Sequence, residues 1–390
     1  MQIKKIRING KDNIVKLAAL IGLCVFIAQM LELSTVVSAL FACSFLCVIA
    51  NYLAFISARK RLRLDDIALF ALTLISIVLS DWESGFDYYK PAIIVLCSVI
   101  CIDQCAEIES SKKTCKHIQF LLILVCIITN VMYYGGLQHS YYGTTNWVSL
   151  NFDNSNETAM WLVFLIILLY DSAVLQKEKV LRFFPLICAF SLMPILYSTQ
   201  SRSCLLVILF FFAGKFILRL FKIKKFPRWI LFLITLAPIL VYVGYMYIFI
   251  PYYDRLSRWF LFLLSDGKPL TGRVEIWSDL EMGQLKHILF GNYAVYHTEQ
   301  LHNAMLTLYC RFGVFFVAIV CRKIYLVLKK MPNADIQLAV SAVWLTGCFE
   351  TSIFVGAAGM YLLVLLLPIF YIEDSSKFIR QCDLQSGREP

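Results

Sequence analysis

Long apolar runs, separated by polar breaks, fill the chain from residue 14 to residue 372. They fall near 14–31, 35–56, 65–80, 89–105, 118–134, 159–175, 183–198, 203–221, 229–250, 304–328, 335–353 and 356–372. A helix rises about 1.5 Å per residue, so about 20 apolar residues cross the ~30 Å of hydrocarbon in a bilayer. Read this way, the pattern predicts an all-α, polytopic integral membrane protein of about 12 transmembrane helices. The run at 89–105, which opens near Pro91, is the weakest of the set. Residues 1–390 form one transmembrane helical domain on this reading.

The breaks are unequal. Most are short, but 135–157 and 251–302 are long, and unbroken loops of that length are usually functional. The longer one carries Trp259, Trp277 and the stretch "RWFLFLL" at 258–264, which predicts an interfacial helix lying along the membrane together with other short helices. The two halves of the chain show no internal repeat, so the paired architecture of many transporters has no support in the sequence.

Composition agrees with the pattern. The chain is 60% hydrophobic and 16% charged, whereas soluble domains carry about a quarter charged residues. A net charge of +10 raises the question of nucleic acid, but the Lys and Arg residues lie in short tracts such as "SARKRLR" (57–63) and "FKIKKFPR" (221–228). Basic tracts between apolar runs mark cytoplasmic loops, so no nucleic-acid partner is expected. Breaks such as "DWESGFDYYK" (81–90) and "NFDNSNET" (151–158) are acidic or mixed. The asymmetry predicts that both termini are cytoplasmic and that 135–157 and 251–302 lie outside. No small-residue cleavage site follows the first apolar run, which is read as a span and not as a removed signal. The 14 cysteines avoid both long outer loops and show no CxxC pairs or histidines at metal spacing. They read as small apolar side chains, and no metal is expected.

Against this charge bias, a few basic residues remain on the outer side. Lys90, Arg255, Arg258, Lys268, Lys286 and Arg311 read as interface anchors. Arg202, in "YSTQSRSCLLV" (197–207), and Arg273, in "PLTGRVEIW" (269–277), stand apart. At Arg202 the chain enters a new helix at Ser201 or Ser203, both good N-caps. Its free N–H groups and partial positive charge, joined by a guanidinium, suit a phosphate. An arginine reaching to lipid phosphate fits the same residue. Arg273 follows a Gly that permits a turn and opens a helix with Glu275 and Trp277. An Arg–Glu surface pair fits there too. His302 and Asn303 close the long loop in "LHN", just before the run at 304–328, with Asn303 a plausible cap. A helix N-terminus disfavours the charged imidazole, which suits a general base near neutral pH; a purely structural histidine is the plainer reading.

In order along the chain stand "TQSRS" (199–203), "TGR" with Trp277 (271–277), "LFGNY" (289–293), "LHN" (301–303) and "RFG" (311–313). This ordered set resembles the bacterial O-antigen and capsular polysaccharide polymerases (Wzy type) and the O-antigen ligases, which are multi-span membrane glycosyltransferases of the broad GT-C kind. The likeness lies in motifs over about 197–315 and, over the whole chain, in span number and the long outer loop.

The resemblance implies metal-independent, cofactor-free glycosyl transfer outside the bacterial cytoplasmic (inner) membrane. An undecaprenyl-diphosphate-linked oligosaccharide would be both donor and acceptor. Arg202 and Arg273 would hold the diphosphate, with Ser201, Ser203, Glu275 and Asn303 around them, and His302 would serve the acceptor hydroxyl. Trp277 and Tyr293, with Tyr141, Tyr142, Trp147 and Tyr296, could stack on sugars, although an interfacial aromatic belt explains most of them. Glu350, in "CFETS", sits where an acid is costly enough to suggest a role; Asp81 and Glu83 read as solvated. Membrane lipids, a chain-length regulator and a flippase are the implied partners. A polymerase is the leading expectation. The alternatives are a ligase of the same family and, from another class, a lipid-linked oligosaccharide flippase or transporter.

Overall fold

The computed structural model describes residues 11–59, 63–80, 112–136, 148–150, 155–173, 179–252, 273–280, 283–297, 301–331 and 333–350, with scattered positions at 92–99, 152 and 299. Every regular element among the described residues is helical. The first seven are α1 (Lys11–Met30), α2 (Ser34–Arg59), α3 (Leu64–Leu79), α4 (Lys112–Tyr134), α5 (Ser155–Ser172), α6 (Lys179–Ser191) and α7 (Met193–Ser198). Then come α8 (Arg202–Leu220) and α9 (Arg228–Gly244), which continues into a turn of π-helix at Tyr245–Phe249. Three short helices follow, α10 (Arg273–Ser278), α11 (Leu285–Phe290) and α12 (Tyr293–Tyr296). Two more close the set, α13 (Ala304–Lys330), which is kinked at Gly313 where the backbone turns extended (φ +79°, ψ 179°), and α14 (Ala334–Thr346).

These helices track the apolar runs because an apolar stretch of that length satisfies its backbone only by coiling on itself. Lys116–Tyr134, Arg202–Leu220, Arg228–Phe249 and Ala304–Lys330 are each long and apolar enough to cross a membrane, and Leu20–Met30, Arg182–Ser198 and Ala334–Thr346 are shorter apolar helices. The run at 183–198 is helical as expected over Arg182–Ser198, with a turn at Leu192 that keeps helical angles (φ −81°, ψ −14°) before Pro194 in the first turn of α7, where a missing N–H does no harm. One expectation needs correction. The run at 335–353 stops being helical at Thr346 and ends in turns. The expected helices at 258–264 and 356–372 lie outside the described residues, as does most of 89–105.

α5 is the centre of the bundle. Every residue from Ala159 to Leu169 is buried, as a helix that is apolar all round requires. Trp161 lies 4.9 Å from Phe26 between ring centroids. By contrast, α8 and α9 keep Leu209, Phe216, Leu220, Phe232 and Leu240 exposed, an apolar face of the kind a bilayer covers.

α8 and α14 run antiparallel. The Ala334 N–H donates to the Lys224 carbonyl (2.8 Å) and the Phe226 N–H to Gln337 Oε1 (2.8 Å), so α14 starts where α8 ends. Gln337 also donates to the Leu328 carbonyl at the end of α13 (3.0 Å). This rim of the bundle is ionic. Lys215 Nζ lies 2.7 Å from Asp171 of α5 and 3.0 Å from Asp335 of α14. Lys323 of α13 lies 2.5 Å from Asp66 of α3, beside an Arg322–Asp65 pair. Lys215, Lys323, Asp66 and Asp171 are buried, and a charge can stay inside only when paired. The other rim gathers the start of α8, the end of α14, the end of α9 and the start of α13.

Candidate functional site

Asn303 organises that second rim. It is fully buried, and its Oδ1 accepts the Leu306 N–H (2.9 Å) as the N-cap of α13, satisfying one of the donors a helix start leaves open. Its Nδ2 donates to the Pro238 carbonyl of α9 (2.8 Å) and to the Cys348 carbonyl beyond α14 (3.0 Å). The Ala304 N–H donates to the Gly347 carbonyl (2.8 Å). One amide side chain thus ties three elements together, and the cap expected from the sequence is present.

This knot brings Glu350 to His302. Glu350 Oε2 lies 3.6 Å from His302 Nδ1, beyond a direct hydrogen bond but within ion-pair reach. The carboxylate is buried, while the imidazole keeps 23% of its surface open. The buried carboxylate faces this ring nitrogen, which makes no hydrogen bond among the described residues. His302 itself has φ +50°. A non-glycine residue in the left-handed region costs on the order of 1 kcal/mol and persists only where its surroundings enforce it.

Arg202 begins α8 at the same rim, because α8 and α14 are antiparallel. Its neighbourhood repeats the His302 device: Gln200 has φ +58° and Ser201 follows as the N-cap residue, just as His302 precedes the cap Asn303. Ser201 is buried and makes no side-chain cap bond; its Oγ lies 3.4 Å from Ser203 Oγ. Arg273 opens α10, but its side chain and that of Glu275 lie outside the described residues. α10 reaches this rim through Trp277, whose Nε1–H donates to the Leu301 carbonyl (2.7 Å), one residue before His302. The indole meets Tyr242 and Tyr245 edge-on, at 5.4 Å each.

Trp277 is 2% exposed and Tyr293 not at all, so both rings shape the protein interior. The Tyr293 hydroxyl accepts the Ala92 N–H (2.9 Å) and its ring stacks on Phe312. Burial pushes its phenol up to about 12, against a smaller lowering by the Ala92 hydrogen bond and the Arg311 charge.

The motifs "LFGNY" and "RFG" meet backbone to backbone. Gly291 (φ +81°) and Gly313 (φ +79°) are both left-handed, and a Cβ on either would lie well inside 3.0 Å of the opposite main chain, at Arg311 or at Leu289. The Asn292 N–H donates to the Cys310 carbonyl (2.8 Å) in the contact this allows. Only glycine suits a positive φ and such an approach at once. The first residue of "RFG" departs from its expectation as an interface anchor. Arg311 is no surface anchor: it is 1% exposed and donates from Nε to the Tyr296 carbonyl (2.8 Å) and from Nη2 to the Glu299 carbonyl (3.2 Å). It stands two residues before Gly313, and no local signal distinguishes it from a surface arginine. The other outer basic residues, apart from Lys286, lie outside the described residues, as do Asp81, Glu83, Tyr141, Tyr142 and Trp147.

The rim therefore offers a partly open imidazole, a buried carboxylate 3.6 Å from it, and a guanidinium at a helix start. Among the described residues no group of three or more His, Cys, Asp or Glu side chains could hold a metal ion. Comparison of the chain with family models, with curated proteins and with solved structures finds no match.

Proposed function

We propose that this chain is a membrane glycosyltransferase that extends a polysaccharide on a lipid carrier, working at the outer face of a bacterial cytoplasmic membrane. The donor is an undecaprenyl-diphosphate-linked glycan and the acceptor a further lipid-linked repeat unit. In this reading the chain has about 12 spans of GT-C-like architecture, cytoplasmic termini, and its long 251–302 connection outside. The observation that carries it is the shared rim: Arg202 at the start of α8 lies at the same end of the bundle as the His302–Glu350 pair. The ordered motif resemblance supports it.

The chemistry follows from those groups. The acceptor hydroxyl oxygen attacks the anomeric carbon of the donor sugar as the bond from that carbon to the diphosphate oxygen breaks. The diphosphate leaves with the electron pair. Charge grows on its oxygens, where Arg202 and Arg273 supply fixed guanidinium donors worth several kcal/mol in order of magnitude. With Nδ1 turned to Glu350, Nε2 of His302 takes the hydroxyl proton, help worth about 10²–10⁴ in rate.

Arg202→Ala, Arg273→Ala and His302→Ala should each abolish polymer while the protein still inserts and accumulates. Arg→Lys at 202 or 273 should fail as well if the grip on phosphate is bidentate. Normal polymer from all three alanine variants would end the assignment. A deletion strain separates the related readings. Surface glycan reduced to a single repeat unit marks a polymerase. Lipid-linked polymer missing its final acceptor marks a ligase, and repeat units trapped inside the cell mark a flippase.

A further inference from the structure

We infer that Arg311 is a positioning residue for His302: its buried guanidinium grips the carbonyls of Tyr296 and Glu299 and thereby sets the segment that presents the imidazole. The inference rests on the functional reading above. Three observations carry it. First, Arg311 is 1% exposed, and a guanidinium that far from water needs polar partners to remain there. Second, the carbonyls it meets belong to residues six and three positions before His302, at 2.8 and 3.2 Å. Third, the rest of that segment is fastened to the same elements. The Asn292 N–H donates to the Cys310 carbonyl, Ser76 Oγ donates to the Arg311 carbonyl, Trp277 holds the Leu301 carbonyl, and Asn303 caps α13.

Residues 303, 307, 310 and 311 follow one face of α13 at helical spacing, and residues 291–297, 299 and 301–303 lie along that face. Arg311 is the side chain that reaches from the helix to the middle of this segment. Its fork supplies two donors from one rigid plane, which a lysine ammonium at the end of a flexible stem cannot reproduce. Without it, His302 keeps Glu350 and the Asn303 knot, but the approach from residue 296 is released. The chain already holds His302 at φ +50°, so relaxation there turns the ring.

The test compares Arg311→Lys and Arg311→Met with wild type in nanodiscs, using Arg322→Gln as a control at the far end of α13. With histidine ring nitrogens labelled by ¹⁵N, and the His302 signal assigned by its loss in His302→Gln, both Arg311 variants should shift the His302 ring signals. Arg322→Gln should leave them in place. In turnover of lipid-linked repeat units extracted from a deletion strain, Arg311→Lys should lower kcat by about 10²-fold at unchanged KM, the scale of a misplaced catalytic group. Wild-type protein gives a measurement immune to misfolding. The Arg311 Nε–H should exchange with solvent as slowly as the Leu306 amide beneath the cap. Exchange at the rate of a solvated arginine would overturn the inference, as would His302 signals unchanged in both variants or a loss confined to KM. If His302→Ala still makes polymer, the functional reading falls, while the ring-nitrogen comparison still decides whether Arg311 positions His302.

Discussion

Four glycines of this chain form a graded experiment on the contact between the two glycine motifs. At Gly244, in ordinary helical conformation (φ −61°), an added Cβ meets nothing within 4 Å. At Gly136 a Cβ also finds open space, but φ is +70°, so Gly136→Ala carries only the conformational penalty, about 1–2 kcal/mol. At Gly291 and Gly313 both terms act. With ψ near 180° beside the positive φ, both lie in a region essentially confined to glycine, costing about 1–3 kcal/mol, and the Cβ collides with main chain that has no rotamer to escape into. Ordinary contact begins at 3.4 Å, so the backbones of 289–292 and 310–313 must part by on the order of 1 Å, an overpacking strain of about 1–3 kcal/mol. Parting also weakens the bond from the Asn292 N–H to the Cys310 carbonyl, about 1 kcal/mol more. The sum is roughly 3–7 kcal/mol for Gly291→Ala or Gly313→Ala. Gly244→Ala should be neutral or gain up to about 1 kcal/mol from helix propensity. Thermal unfolding in nanodiscs should rank wild type and Gly244→Ala together, Gly136→Ala lower, and the two motif variants lowest. Gly291→Ala melting with or above Gly136→Ala would refute the close approach.

Glu350→Gln keeps the shape but removes the charge facing His302 Nδ1; polymer synthesis should fall at least tenfold while melting shifts little, and full activity would remove Glu350 from the site. Lys215→Met strands Asp171 inside the bundle and should cost about 3–5 kcal/mol; adding Asp171→Leu should recover most of it, and an equal loss in the double variant would refute the pairing. Tyr293→Phe leaves the Ala92 N–H without its acceptor and should cost about 1–3 kcal/mol without changing the pH dependence of activity, because burial already holds that phenol neutral; a shifted pH profile would contradict this.

The helices were legible because their driving force is one-dimensional: a run of apolar residues has to satisfy its own backbone, and the run can be read directly. The Asn303 cap was legible for a related reason, since a short polar side chain ahead of a run is a local signal. What could not be read is what depends on two distant segments meeting. Arg311 and Lys215 are basic residues near the ends of apolar runs, and nothing in their neighbours separates a side chain that reaches water from one that turns inward. The Gly291–Gly313 contact needs both partners to be visible at once. The pairing of Glu350 with His302 depends on the carbonyls of Pro238 and Cys348 both finding the Asn303 amide, and main-chain acceptors leave no mark in composition.

The two rims of the bundle are fastened by different kinds of bond, and this sets where the molecule can yield. At the rim of Lys215 and Lys323 each buried charge is committed to its counter-ion, because separating them strands both in a medium that cannot solvate them. At the rim of His302 the ties are amide and guanidinium donors on carbonyls, and each carbonyl oxygen has a second lone pair with which to accept a substitute. Strain delivered by an arriving molecule would therefore be relieved by splaying the carbonyl-laced rim about the charge-locked one, as a pair of tongs opens about its rivet.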